Sequence, residues 1–220
     1  MRLPRQTAQT TEDSTGLRHY LTPQGLLPSV TSILSRTSAW AGQGASPAAM
    51  AARARGRLFH AEMQARLEQG EEGQSPYFSS LSSFWPRLGE IWLVEGPLWH
   101  SQGFAGTVDC VAEVDGVLSV IDWKTTDEPR APESVIDPHL QVAAYRAALR
   151  EIYGLDVPQT LIVFAPAVGD AQVMPADDPD ARYADFLARL LRFRQKFAMP
   201  AQPRAVSRGR SVGVGSRSRN

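Results

Sequence analysis

The sequence predicts an α/β fold in which helices flank a mixed β-sheet. Three observations support this: apolar residues at helical spacing early in the chain, then a stretch rich in β-branched and aromatic residues, then a helical, a strand and a helical pattern in turn. The chain has 220 residues, of which 43% are hydrophobic, so it is long enough for one domain with its own core. We expect a flexible leader over residues 1–16, a single domain over 17–200 and a disordered basic tail over 201–220.

Three helices are expected before the strands. Residues 28–34 are typical of a turn into a short helix, with a hydroxyl side chain available to cap its first turn. Ser46 as the N-cap and Pro47 at the first helical position begin a second helix that ends near Gly70. A third helix is predicted from Pro76 to Leu88, where apolar residues recur every three or four positions. The second helix carries an apolar stripe that consists of Met50, Ala54, Leu58, Phe59, Met63 and Leu67.

The middle of the chain predicts strands. Asp115-Gly116 is a strong hairpin signal, because a type I′ turn needs positive φ at both of its central positions. Gly154 is a natural end for the helix that follows. The predicted elements are strands over 91–95, 104–114 and 117–125, a helix over 138–153, a buried strand over 160–165, an edge strand over 172–174 and a closing helix over 180–197.

Composition excludes several classes of protein. Cys110 is the single cysteine, which rules out an internal disulfide, a four-cysteine zinc site and a four-cysteine iron–sulfur cluster. Any metal would therefore be bound by oxygen or imidazole. The longest apolar run, 161–165, is far shorter than the roughly 18 residues of a membrane-spanning helix, and the first residues lack the apolar core of a signal peptide. We therefore expect a soluble, cytoplasmic protein that does not enter a membrane.

The net charge of zero hides an uneven distribution. The tail, 201–220, has five arginines and no acidic residue, which leaves 18 basic and 23 acidic residues in the rest of the chain. Such a tail can hold nucleic acid loosely or can simply keep the protein in solution, and its composition does not decide between these roles.

The predicted hairpin places two acids opposite each other. If Asp115-Gly116 forms the turn, Val111 pairs with Val120 and Asp109 pairs with Asp122, and directly opposed like charges are destabilising. Solvent exposure, protonation of one acid or a bound cation would relieve the repulsion. The neighbouring valines are typical of a buried face and argue against simple exposure.

Lys124 lies on the same face, two residues after Asp122. Two carboxylates with open positions suit Mg²⁺ or Mn²⁺, and a lysine beside them can orient an attacking water or stabilise charge on a phosphate. The alternative is a surface ladder in which Lys124 simply neutralises both acids. The chain has only two lysines, Lys124 and Lys196, against 21 arginines, which favours a specific role for Lys124.

Several motifs, which follow one another along the chain in the family's order, resemble the PD-(D/E)xK nuclease superfamily. GTVD at 106–109 followed by DWKT at 122–125 resembles the family signature, in the version where the second acid, one spacer and a lysine end a strand. QVAAY at 141–145 resembles the helix motif of the RecB-like nucleases, and RGRLFH at 55–60 resembles their upstream helix. The segments most similar to the mitochondrial genome maintenance exonuclease branch are PSVT at 28–31 and GFAGTVD at 103–109.

The resemblance implies a restriction-endonuclease-like core and a metal-dependent hydrolase that cleaves phosphodiester bonds in DNA. The implied catalytic residues are Asp109, Asp122 and Lys124, of which the lysine would orient the hydrolytic water. The implied ligands of Mg²⁺ or Mn²⁺ are His60, Asp109, Asp122 and the backbone carbonyl of Trp123. Gln141 and Tyr145, one helical turn apart, would support Lys124 and the DNA backbone, and Glu95 would add an acid near the site.

The resemblance also suggests which DNA is cleaved. An exonuclease that prefers single-stranded DNA or free ends is the first expectation, and a structure-specific endonuclease is the alternative. A non-catalytic DNA-binding module on the same scaffold is the rival from another class. His60 could instead be an ordinary core histidine, and His100 and His139 are assigned structural roles.

Overall fold

A five-stranded mixed sheet forms the centre of the computed structural model, which describes residues 2–38, 46–128, 130–131 and 135–197. The expected tail, 201–220, lies outside the described residues. In chain order the elements are β1 (Gln9–Glu12), β2 (Arg18–Thr22), β3 (Gly25–Pro28), α1 (Val30–Thr37), α2 (Pro47–Gln69), α3 (Pro76–Ser79), β4 (Leu88–His100), β5 (Phe104–Val114), β6 (Val117–Thr126), α4 (Ile136–Tyr153), β7 (Gln159–Pro166), β8 (Gln172–Pro175) and α5 (Pro179–Phe197).

The sheet has the order β4-β5-β6-β7-β8 and is antiparallel except between β6 and β7. A parallel pair needs a crossover connection, which α4 supplies. One apolar cluster joins α1, α4 and α5 to the face that carries Val111 and Val120. A second cluster joins α2 and α3 to the face that carries Cys110, Ile121 and Trp123. The predicted architecture, a mixed sheet flanked by helices, is confirmed.

Capping residues fix the ends of the helices that position the site. The Ser29 hydroxyl accepts a hydrogen bond of 3.0 Å from the Ser32 backbone N–H at the start of α1. The Ser46 hydroxyl accepts one of 3.2 Å from Ala49 at the start of α2. Gly70 and Gly154 take the left-handed conformation, with φ of 78° and 64°, just past α2 and α4. The predicted N-cap of α2 and both glycine ends are confirmed.

The β5-β6 hairpin has the predicted turn and register. Asp115 and Gly116 have φ of 52° and 79°, as a type I′ turn requires. Backbone pairing runs from Val114 with Val117 to Cys110 with Ile121. Val111 and Val120 pair within this stretch, and the face of the hairpin that carries them is buried in the core.

The first residues are not the loose leader that the sequence predicts. β1 pairs with β2, and β2 with β3, in a separate three-stranded antiparallel sheet. Leu3 also donates its backbone N–H to the Trp92 carbonyl at 2.7 Å, along the outer strand of the main sheet. All four residues of β1 are exposed, so no alternation of apolar and polar residues marks it as a strand.

The predicted third helix is a series of short turns. α3 covers only Pro76–Ser79, and two 3-10 turns follow at Ser80–Ser83 and Trp85–Arg87. Pro86 has no backbone N–H to donate, and the serines of this segment compete with the backbone for hydrogen bonds. Of the apolar side chains that suggested a helix, Phe78 and Leu81 are buried, and Trp85 and Leu88 are half-buried.

The apolar stripe of α2 is shorter than predicted. Phe59, Met63 and Leu67 are buried, whereas Met50 and Leu58 are 61% and 72% exposed. The buried residues of α2 begin at Phe59, because only the second half of this helix packs on the sheet. Among the described residues, no helix is both long enough and apolar enough to cross a lipid bilayer.

Replacement of Gly116 tests the hairpin. No described atom lies within 4 Å of a β-carbon added there, so only the positive φ opposes a side chain. We expect Gly116→Ala to lower the free energy of unfolding by about 1–2 kcal/mol, and Gly116→Asn to cost less, because asparagine tolerates this conformation. Urea unfolding followed by circular dichroism measures both. Equal stability of the wild type and the alanine variant would contradict the assigned turn.

Candidate active site

Asp109 and Asp122 lie where β5 and β6 stop pairing. The last backbone pair of the hairpin is Cys110 with Ile121, so the two acids occupy the next position on each strand. Asp109 Oδ2 accepts a hydrogen bond of 2.9 Å from the Trp123 backbone N–H. Both acids are buried, with 6% and 1% of their surface exposed. The hairpin register therefore brings two desolvated carboxylates together, as the turn predicts.

Lys124 and Gln141 of α4 hold Asp122, and Tyr145 of the same helix contacts Gln141. Lys124 Nζ donates to Asp122 Oδ1 at 2.9 Å and is 2.7 Å from Oδ2. Gln141 Nε2 donates to Asp122 Oδ1 at 2.7 Å, and Gln141 Oε1 accepts from Lys124 Nζ at 3.5 Å. The Tyr145 hydroxyl lies 3.4 Å from Gln141 Nε2 and accepts from it. Gln141 thus contacts both the acid and the lysine, and Tyr145 contacts Gln141.

Gly106 allows α4 to approach β5 this closely. A β-carbon added at Gly106 would lie 2.6 Å from Tyr145 Cε1 and 2.9 Å from its hydroxyl oxygen. No real side chain tolerates such contacts, so the Tyr145 ring occupies the space that the glycine leaves free.

His60 reaches the site from α2, on the other face of the sheet. Its Nε2 donates to the Trp123 carbonyl oxygen at 3.0 Å. Its Nδ1 is 3.4 Å from Glu95 Oε1 and 3.6 Å from Asp109 Oδ1. One ligand atom each from His60, Glu95 and Asp109 lies within 4.8 Å of the others. His60 is therefore at the candidate site and not an ordinary core histidine.

Arg55 positions this part of α2. Its Nε donates to Thr125 Oγ1 at 3.2 Å, and its guanidinium pairs with Asp127 at 3.2 Å. Both partners follow Lys124 closely in the chain. The sequence places Arg55 in a family-like motif without a role of its own, and the structure shows that it ties the helix of His60 to the end of β6.

Glu95 has an unusual backbone conformation for a strand residue. Its φ is 46°, although β4 pairs regularly with β5 on both sides, at Val94 with Cys110 and Gly96 with Val108. Non-glycine residues rarely adopt positive φ, and such strain is concentrated at functional sites. The residue with this positive φ is also the one whose carboxylate contacts His60. Nothing in the sequence predicts the positive φ.

Burial and positive charge set the protonation of the acids. Burial raises the pKa of Asp122 to about 6, although the Lys124 ammonium opposes the shift. Burial also raises the pKa of Asp109, against the opposing charges of His60 and Lys124. Burial alone would lower the pKa of His60, but the charge of Asp109 and the hydrogen bond with Glu95 raise it to about 9. The acids are therefore held beside an imidazolium and an ammonium.

The donor set fits a hard divalent cation. Carboxylates, a backbone carbonyl and an imidazole are ligands that Mg²⁺ and Mn²⁺ accept. The His60 imidazolium now supplies the positive charge that such a cation would bring to Asp109, Glu95 and the Trp123 carbonyl. Asp122 is outside this three-residue group and is engaged by Lys124 and Gln141.

Three curated relatives share part of this sequence, and each is named mitochondrial genome maintenance exonuclease 1. The Xenopus tropicalis protein is 31% identical over 169 residues, which cover 64% of this chain and 49% of the relative. The Homo sapiens protein is 30% identical over 156 residues, 64% of this chain and 45% of the relative. The Mus musculus protein is 31% identical over 155 residues, and the match covers 64% of this chain and 46% of the relative. The chain thus spans about half the length of these relatives.

The family comparison covers the sheet and the acids. The sequence model described as the PD-(D/E)XK nuclease superfamily matches residues 90–206, just over half of the chain. This range includes Asp109, Asp122 and Lys124, and the mixed sheet with helices on both faces agrees with the restriction-endonuclease-like core that the sequence motifs imply. The chain therefore belongs to the PD-(D/E)XK nuclease superfamily.

Proposed function

We propose that this chain is a metal-dependent deoxyribonuclease that removes nucleotides from DNA ends as an exonuclease. The observation that carries this proposal is the ion pair of Lys124 with a buried Asp122, next to the cluster of His60, Glu95 and Asp109. The name of the relatives, an exonuclease, supports activity at an end.

The residues that would hold Mg²⁺ or Mn²⁺ are His60, Asp109, Asp122 and the Trp123 carbonyl. When bound, the ion supplies a water of lowered pKa and neutralises phosphate oxygens. Lys124 orients the attacking water and stabilises charge on the phosphate with the same ammonium that pairs with Asp122. Gln141 keeps the lysine and the acid in register, and Tyr145 supports Gln141.

The substrate is single-stranded DNA or DNA with free ends, as the family branch that the sequence motifs resemble implies. The basic tail, 201–220, adds a loose attraction to nucleic acid. The relatives are named as mitochondrial proteins, so the cytoplasmic location expected from the sequence stays a prediction.

Cleavage of labelled DNA tests the activity. We expect the wild type to degrade a single-stranded oligonucleotide with Mg²⁺ or Mn²⁺ and to stop when EDTA is added. Asp122→Ala and Lys124→Ala should each lower the rate roughly 100-fold or more, because each removes a group that acts on the reacting phosphate or its water.

Asp170→Ala and Lys196→Ala are the matched controls, since both side chains are exposed and lie outside the site. Cleavage that is equal in all variants, or absent in the wild type, would overturn the proposal. Single nucleotides or short products from one labelled end indicate an exonuclease, and internal products indicate an endonuclease.

Gln141→Ala tests the support of Lys124. We expect kcat to fall roughly 10- to 100-fold with little change in KM, because partners of this kind orient the groups that they contact. Gln141→Glu should restore the contact with Lys124 but not the donation to Asp122, and so should recover only part of the activity. A change confined to KM would show that Gln141 binds DNA and does not position the lysine.

The His60 pKa can be measured in the metal-free protein. We expect the imidazole to titrate at about 9, and Asp109→Asn to lower this value because it removes the largest favourable charge. The stability gained from protonated His60 is complete below its ordinary pKa of 6.5 and is lost as the pH rises through about 9. Nuclear magnetic resonance of labelled histidine, with His60→Gln for assignment, measures the titration. A midpoint near 6.5 in the wild type would contradict the ion pair.

A further inference from the structure

Two arginines of α2, in the turns that precede His60, have no partner among the residues that the structure describes. Arg53 and Arg57 are exposed, and neither forms a hydrogen bond, ion pair or ring contact with another described residue. The other arginines of this helix are engaged, Arg55 with Thr125 and Asp127 and Arg66 with Glu72 and the Trp85 ring. Within the described part of the chain, two guanidinium groups of this helix are therefore available to a ligand.

Helix geometry places both arginines on the side of His60. At about 100° per residue, Arg53 and Arg57 project within about 60° of the direction of His60. Along the axis they precede it by about 10.5 Å and about 4.5 Å, so they are about 6 Å apart. This interval is comparable with the separation of successive phosphates on one nucleic-acid strand. Two free positive groups thus form a row that leads to the acids.

Gly56 leaves the path along this row open. It lies one turn before His60, and no described atom comes within 4 Å of a β-carbon added there. A glycine inside a helix costs about 0.5–1 kcal/mol relative to alanine, and no neighbouring group in the described structure needs the space. Such a position is where a ligand backbone can approach a helix closely.

Before a divalent cation binds, the charge of the site itself does not attract DNA. Three acids, Glu95, Asp109 and Asp122, face two cationic groups, His60 and Lys124. Phosphate contacts with arginine provide most of the attraction between proteins and single strands. The free guanidinium groups of α2 lie next to this acidic site, where attraction is needed.

We infer that Arg53 and Arg57 bind two successive phosphates of one DNA strand, which passes over Gly56 and delivers the next linkage to the acids. This inference rests on the proposed function, because it names the binding path to the same site. A single row on one helix follows one strand, so the path contacts the backbone of that strand and reads no base sequence.

The salt dependence of binding tests the two phosphate contacts. The probe is a fluorescein-labelled oligothymidylate, bound in Mg²⁺ to the full chain that carries Lys124→Ala. Each phosphate contact contributes about 0.7 to the slope of log K against log salt concentration, so Arg53→Gln with Arg57→Gln should reduce the slope by about 1.4. Arg192→Gln is the matched control, because this exposed arginine lies on α5, which packs on the opposite face of the sheet. An unchanged slope in the double variant would overturn the inference.

Cleavage by the otherwise wild-type chain separates this inference from the proposed function. If the wild type cleaves and the double variant shows a KM raised roughly tenfold with kcat retained, both stand. If the wild type cleaves and the double variant has the same KM and salt slope, only the inference fails. If nothing cleaves but the slope falls as expected, the phosphate path stands and the nuclease activity does not.

Gly56→Leu tests the path itself. Leucine favours the helix, and its β-carbon would have no described atom within 4 Å, so the melting temperature should rise or stay the same. KM for single-stranded DNA should rise, because the side chain fills the path. Ala51→Leu is the control, since it adds the same side chain at an exposed position of α2 that lies at least about 120° around the helix from Arg53, Gly56 and Arg57. Unchanged KM in Gly56→Leu would show that the strand does not pass over this turn.

Discussion

Two ionised carboxylates buried at the end of one hairpin are stable only beside positive charge, which the surrounding elements supply. Asp109 and Asp122 lose their hydration where β5 and β6 stop pairing. Lys124 comes from the strand itself and His60 from a helix on one face of the sheet. Gln141 comes from a helix on the other face and donates to Asp122 Oδ1, the oxygen that also accepts from Lys124. Removing one partner of a buried ion pair leaves an uncompensated charge, so these contacts constrain where both helices can pack.

Contacts that do not involve Asp109 or Asp122 also hold these helices in place. Arg55 ties α2 to the strand end beyond Lys124, and Gly106 lets Tyr145 rest against β5. Glu95 turns its backbone out of the ordinary strand conformation at the position next to His60. The site is thus built from rigid strands and anchored helices, which keep reacting groups more precisely placed than loops would.

Local features of the sequence predict the parts of the structure that depend on neighbouring residues. The Asp115-Gly116 turn determines the register of β5 with β6, and Ser46, Gly70 and Gly154 mark helix ends, because each acts through the nearest backbone. The sequence does not predict β1, because both faces of this strand are exposed and it has no alternation of apolar and polar residues. The broken third helix and the exposed Met50 and Leu58 follow from packing against elements distant in sequence, which periodicity does not report. The positive φ of Glu95 likewise depends on the assembled cluster.

The distances along the chain between these groups imply an order of assembly. Asp109 contacts Trp123 across 14 residues within one hairpin, whereas His60 contacts Trp123 across 63 residues. Hairpins close in microseconds, and contacts between distant segments pay more loop entropy and form later. A newly made chain therefore brings its two acids together before the histidine arrives. Lys124 belongs to the same hairpin and is its one basic residue. Its ammonium therefore offsets the charge of the two acids during folding, before His60 reaches them.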